Sequence, residues 1–214
     1  MLLLSICTSS LRGSVALHSD EKFLNEKLWS KKISAGGNPS HSELLTVSVL
    51  ELLRENQKKM NDVTHLAVDV GPGSFTGIRV GVNFARAFAY ARNLEVFVGD
   101  SLFIIANSFF GKSDDKNLSV QIPAFRNFHY YSVYSPGRRS WNCIEGPSVV
   151  TTDELNDGKF KNSFEVKDTY PQAKHLGDLA LLSHMQKEKF KSWREITPLY
   201  IRRSEAEEKF GICL

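Results

Sequence analysis

Apolar and polar positions change period several times along the chain, and each change marks an element. Leu2 to Ile6 is a nearly unbroken apolar run closed by Thr8-Ser9-Ser10, the pattern of a strand buried on both faces. Ser14 to His18 and Phe23 to Trp29 follow as two more strands, and Ser19-Asp20 between them supports an antiparallel meander. Lys31 to Pro39 is polar and glycine-containing, so it reads as a loop. The period then becomes helical. Ser40-His41-Ser42-Glu43 is a capping box, and the helix it starts runs to about Asn56. Thr64 to Val68 is a short buried strand. Gly77 to Arg92 has no proline and a helical period. Glu95 to Val98 follows it as a strand, which supports a parallel crossover.

Gly99-Asp100 marks a domain boundary. Asp100 caps a helix from Ser101 to Phe109, with Gly111 closing it. Lys112 to Asn117 is a charged loop. Leu118 to Ala124, Tyr130 to Tyr134 and Trp141 to Ile144 read as strands, Thr152 to Leu155 as a short helix, and Leu176 to Met185 as a longer one. Residues 193–214 alternate apolar and basic positions and carry no firm element.

Between the strand ending at Val68 and the second helix lies Asp69-Val70-Gly71-Pro72-Gly73-Ser74-Phe75-Thr76-Gly77. Gly71 and Gly73 open backbone angles closed to other residues, Pro72 stiffens the turn, and Ser74 or Thr76 is placed to cap the helix. Gly71, Gly73, Ser74 and Thr76 therefore fit either a packing turn or phosphate contact at a helix N-terminus. No lysine follows as in a P-loop.

The two helices are too apolar for one stripe each. At about 100° per residue, Arg79, Asn83, Arg86 and Tyr90 share one narrow polar face, and the rest of that helix is apolar or small. One cover is the chain's own sheet; the second is another helix of this chain or a different protein. Gly77, Gly81, Ala85 and Ala89 recur every four residues, which leaves a groove for a close helix. The helix from Ser42 carries Leu44, Leu45, Val47, Val49, Leu50, Leu52 and Leu53. The two helices are expected side by side, offering Leu45, Val49, Leu52, Gly77, Val80, Gly81, Phe84, Ala85 and Phe88 to a partner. A leucine at Gly81 is then expected to block pairing and leave the fold intact.

Composition narrows the classes. With 214 residues, 42% hydrophobic and 24% charged, the chain is globular, as one large or two small domains. A net charge of +3 does not demand nucleic acid. Lys31-Lys32, Arg138-Arg139, Lys187 to Lys191 and Arg202-Arg203 fit either tRNA phosphates or solvated surface. The apolar start is too short for a signal peptide, and no run reaches membrane-spanning length. Cys7, Cys143 and Cys213 have no metal or redox spacing, which points to a reducing, cytoplasmic compartment. His18, His41, His65, His129, His175 and His184 never stand four apart, which excludes the paired-histidine metal motif. Cys7, on an apolar strand, reads as a buried thiol rather than a nucleophile. His41 reads as a structural histidine rather than a base.

Gly71-Pro72-Gly73-Ser74-Phe75-Thr76-Gly77-Ile78-Arg79-Val80-Gly81 resembles the signature of the TsaB (YeaZ) family. Thr8-Ser9, His41-Ser42-Glu43 and Pro198-Leu199-Tyr200-Ile201-Arg202 match it further, in the same order. The resemblance implies an actin-like, sugar-kinase-like (ASKHA, ribonuclease H-like) α/β fold of two related lobes, residues 1–99 and a reduced 100–214. It implies a non-catalytic subunit, not an enzyme, in making threonylcarbamoyladenosine in tRNA. Such a subunit pairs with the catalytic TsaD protein through a helix bundle, to which the two over-apolar helices correspond; an ATPase, TsaE, joins the pair. The tRNA is reached through the complex. ATP and metal are expected on the partners, with no cofactor or metal held by this chain. A homodimer is expected when the partner is absent.

The chain also departs from that family. Cys7 stands where the family has an aspartate, and Ala124-Phe125-Arg126 stands where it has Asp-Ala-Arg. A thiol cannot replace a carboxylate as a hard ligand for Mg²⁺, so both changes argue against Mg-ATP on this chain alone. The alternatives are a nucleotide-binding phosphotransferase or a glycoprotease-like hydrolase of the same fold. The first needs a carboxylate at the phosphates. The second needs a nucleophile–base pair or a metal.

Overall fold

Leu2–Cys7 (β1) is the strand on which the first lobe rests. Its side chains alternate, so Leu2, Leu4 and Ile6 enter one core while Leu3 and Cys7 enter another on the opposite face. Arg12–Ser19 (β2) and Phe23–Ser30 (β3) follow as the antiparallel meander. His65–Asp69 (β4) and Val96–Gly99 (β5) add in parallel on the other side, giving the order β3-β2-β1-β4-β5. The computed structural model describes residues 1–20, 22–30, 40–112, 116–157, 163–166 and 169–201. The expected loop at 31–39, the middle of the loop at 112–117, and the tail from Arg202, with Arg203 and Cys213, lie outside the described residues.

His41–Glu55 (α1) opens with the expected capping box. The Ser40 hydroxyl accepts from the Glu43 N–H, and the Ser40 N–H donates to the Glu43 carboxylate at 2.5 Å. Phe75–Arg92 (α2) begins two residues before Gly77 because Ser74 is its cap. Both helices cover one face of the sheet. Leu45, Val49, Leu52, Ile78, Val82, Ala85 and Ala89 share a core there with β1 and β4.

Ser101–Asn107 (α3) leads to a second sheet and packs on it through Leu102, Ile105 and Ala106. That sheet comprises Asn117–Pro123 (β6), Phe128–Pro136 (β7), Trp141–Thr151 (β8) and Ser163–Val166 (β9), in the order β8-β7-β6-β9 with β9 parallel to β6. Three antiparallel strands, the short helix Thr152–Asn156 (α4) and a parallel strand thus repeat the plan of the first lobe without its fifth strand. The result is the expected α/β class of two related lobes, the second reduced.

Three features depart from the sequence expectation, the first being β9 at Ser163–Val166, where no element is expected. β8 continues past Ile144 to Thr151. Gly146 sits there at φ +91°, where an added Cβ would lie 2.6 Å from the Ser132 hydroxyl, and register shifts near Val133 absorb the irregularity. The helix Ala173–Met185 (α5) belongs by packing to the first sheet rather than to the second lobe. Its Ala173, Leu176, Leu179 and Ala180 close over Leu3, Cys7, Ala16 and Ala67. Residues 1–99 therefore do not complete their own core. Among the described residues, no helix is long and apolar enough to cross a membrane.

Candidate functional site

The glycine loop is turned inward. Gly71 has φ +103°, a conformation that favours glycine. Its N–H donates to Asp69 Oδ1 at 2.9 Å, the Ser74 N–H donates to the Ser9 carbonyl at 2.7 Å, and the Gly77 N–H is capped by the Ser74 hydroxyl. A methyl at Gly73 would overlap the Ser9 carbonyl, and one at Gly77 would overlap the Thr8 carbonyl. The chain's own turn after β1 occupies the space against the loop, and these N–H groups are already used. That is packing geometry. Thr76 and Ser74 remain exposed at the rim.

Asp69 organises the cluster, and the sequence reading passed over it. Its buried carboxylate accepts from Ser9 Oγ, from Ser101 Oγ at 2.7 Å and from the Gly71 N–H. Ser101 Oγ also reaches Ser9 Oγ at 2.9 Å. One carboxylate thus ties the ends of β1 and β4 to the start of α3. Burial pushes its pKa up, and the donated hydrogen bonds oppose that. An acid at the end of a buried strand, directly before a glycine turn, was the available signal. The expected Cys7 is fully buried and its thiol is pushed up by that burial, so it is no accessible nucleophile.

A second acid, just past the end of the neighbouring strand β5, is also perturbed. Asp100 caps α3 by accepting the Phe103 N–H at 2.8 Å. Burial first, and the nearby Asp69 second, raise its pKa from 3.8 to about 6. Because its folded pKa is raised, the contribution of Asp100 to stability is fully present below about 3.8 and is lost as pH rises through about 6. Asp100→Asn, which keeps the cap, should therefore be about 1–2 kcal/mol more stable than the parent at pH 7 and show no gain near pH 4. Urea unfolding at the two pH values checks this.

His41 is a strut. Trp29 Nε1 donates to His41 Nδ1 at 3.0 Å, so the imidazole proton sits on Nε2 and is given to the Ser10 carbonyl at 2.8 Å. Among the described residues, no group of three or more His, Cys, Asp or Glu side chains is arranged to hold a metal.

The expected docking residues divide sharply. Leu45, Val49, Leu52, Gly77, Gly81 and Ala85 are buried inside this chain, so no partner can touch them. The glycine stripe accommodates Thr8 rather than a foreign helix: a methyl at Gly81 would collide with the Thr8 hydroxyl. Val80, Phe84 and Phe88 are half-buried at the border of the core. The outward apolar residues that sequence reasoning did not single out are Val47, 52% exposed, and Leu50, 51% exposed. Both belong to the second stripe of α1. Together with Val80, Phe84 and Phe88 they form the apolar part of a face shared by α1 and α2. Arg138, Arg139, Lys187, Lys189 and Lys191 are exposed and scattered over the second lobe and the end of α5.

Comparison with known proteins supplies the family. A family model described as TsaD, tRNA N6-adenosine threonylcarbamoyltransferase, matches residues 35–190. The tRNA threonylcarbamoyladenosine biosynthesis protein TsaB of Haemophilus influenzae is 27% identical, over 98% of this chain and 97% of its own. The TsaB protein of Buchnera aphidicola is 24% identical, over 88% and 92%. The fold matches YeaZ from Pseudomonas aeruginosa with a TM-score of 0.76 at 20% identity, covering 93% of this chain and 99% of that one. With a family model over residues 35–190 and nearly the full length of these relatives in common, this chain belongs to the TsaB (YeaZ) family.

Proposed function

We propose that this chain is a non-catalytic subunit in the biosynthesis of threonylcarbamoyladenosine at adenosine 37 of tRNA. It docks on a TsaD-type catalytic protein through the outward face of α1 and α2. A TsaE-type ATPase joins the pair, and tRNA is reached through the assembly in the cytoplasm. The observation that carries this reading is the exposed apolar pair Val47 and Leu50 beside Val80, Phe84 and Phe88 on two adjacent helices. The curated relatives' names supply the pathway. The buried Cys7 at the end of β1 and the loop N–H groups spent inside the chain favour a subunit that holds no Mg-ATP of its own. Without its partner the same face closes on a second copy.

The test is co-purification of this chain with a TsaD-type protein of the same genome, followed by a tRNA-modification assay. The parent should pair, and modification should need it. Val47→Asp combined with Leu50→Asp changes only exposed positions, so stability should stay within about 1 kcal/mol of the parent. Pairing should weaken at least about tenfold, because two carboxylates would be desolvated in an apolar contact. Normal pairing by that variant would place docking elsewhere.

A further inference from the structure

One flank of α2 carries arginines that no carboxylate among the described residues neutralises. Arg79 and Arg86 lie two turns apart on the same side of the helix, and Arg194 follows on the short turn at Trp193–Glu195 that packs beside it. Among the described residues none of the three forms an ion pair, whereas Lys27 and Lys174 each meet a carboxylate. Arg79 Nε donates to the Tyr200 hydroxyl at 3.0 Å, which fixes the guanidinium. Among the described residues its two terminal nitrogens meet no hydrogen-bond acceptor. The aromatic residues between the arginines are Tyr90, 67% exposed, Trp193 and Tyr200, 41% exposed. Arginine with tyrosine and tryptophan is the composition enriched at protein interfaces. On α2 this flank borders one side of the outward surface, where it meets Tyr200 and Trp193, and exposed Asn83 and Ala87 separate it from Val80, Phe84 and Phe88 on the other side.

We propose that this flank is the charged rim of the docking face, and that its partner is a protein surface carrying carboxylates spaced to meet Arg79, Arg86 and Arg194. The inference rests on the docking reading above. Nucleic acid is the other class that unpaired arginines attract, but a base-stacking platform needs open ring faces. Here Tyr200 is stacked on Phe75 at 4.6 Å and the Trp193 face lies under Arg194 at 4.8 Å. Tyr90 meets Trp193 edge-on at 5.0 Å. An acidic protein rim uses the guanidinium forks and needs no ring face. Rim charges of this kind set the association rate and its salt dependence more than the final affinity.

The experiment measures association of the full-length chain with the TsaD-type protein, comparing Arg86→Glu/Arg194→Glu with Arg86→Lys/Arg194→Lys. Arg79 is left in place so that its bond to Tyr200 survives. The reversed pair should associate at least about tenfold more slowly than the parent at about 0.05 M salt, and within about twofold of it at about 0.5 M. The lysine pair should stay near the parent throughout. Association unchanged by reversal, while Val47→Asp/Leu50→Asp abolishes it, overturns the acidic rim and leaves the docking face standing. Association unchanged by both variants overturns the docking face and the rim with it. Normal protein association together with reduced tRNA retention by the complex overturns the acidic rim in favour of nucleic acid.

Discussion

Gly77→Ala is expected to destabilise this protein by about 3 kcal/mol or more, or to prevent recovery of folded chain. Alanine inside an exposed helix normally stabilises by about 1 kcal/mol relative to glycine, so the sign itself is diagnostic. The added methyl would occupy the place of the Thr8 carbonyl oxygen, which is backbone and cannot rotate away. Relief requires α2 to lift from the turn after β1. That would stretch the bond of 2.7 Å from the Thr8 hydroxyl to the Gly77 carbonyl and the bond of 2.7 Å from the Ser74 N–H to the Ser9 carbonyl. Overpacking and lost buried hydrogen bonds add. Urea unfolding measures the loss, and Thr76→Ala, one residue away and exposed, should stay within about 0.5 kcal/mol of the parent. The same contact changes the expectation for Gly81→Leu. Its side chain would strike the Thr8 hydroxyl, so the variant should fail by unfolding rather than by losing a partner. Equal stability of Gly77→Ala and parent would show that the helix does not sit this close.

Asp69→Ala should cost about 3–5 kcal/mol, and Asp69→Asn about 1–2. The alanine leaves the hydroxyls of Ser9 and Ser101 and the Gly71 N–H facing an empty acceptor site in a dry place. Asparagine keeps one oxygen for Gly71 and Ser101 and turns its amide towards Ser9, whose hydroxyl oxygen can accept. Because the three donors belong to three different chain segments, the loss should appear as weaker hydrogen-exchange protection at the starts of both α2 and α3. A loss confined to one segment would deny Asp69 its role as the tie. The order of the two substitutions is the informative result. An asparagine as damaging as alanine would mean that the negative charge, rather than the acceptor geometry, holds the cluster.

Local signals foretold much of the first lobe. The apolar run of β1 and the Ser40–Glu43 capping box are contiguous in sequence, and each appears in the structure as read. What periodicity could not decide was which of two apolar stripes faces inward. Leu45, Val49 and Leu52 form one stripe of α1, Val47 and Leu50 belong to the other, and both suit a sheet equally. The choice is made by His41, which Trp29 on β3 and the Ser10 carbonyl in the turn before β2 hold from elsewhere in the chain. The stripe of small residues on α2 misled for the same reason. A residue with no side chain reports that something comes close, but not that the visitor is Thr8, far earlier in the chain. Asp69 was overlooked because its value lies in Ser9 and Ser101, which stand on other segments. The place of α5 was hidden by distance as well. Nothing within Ala173–Met185 states which of two sheets lacks a cover.

The return of the chain to its first sheet has a consequence for synthesis. β1 to β5 leave the ribosome early, yet α5, which closes their second face, and Leu199, whose N–H donates to the Val70 carbonyl at 2.8 Å, come only after the whole second sheet. During that interval Leu3, Cys7, Ala16 and Ala67 lack the cover that Ala173, Leu176, Leu179 and Ala180 give them. The nascent polypeptide cannot mature lobe by lobe like beads on a string. It closes as a ring, and a ribosome that stalls after β9 releases a half-covered sheet for chaperones and proteases to find.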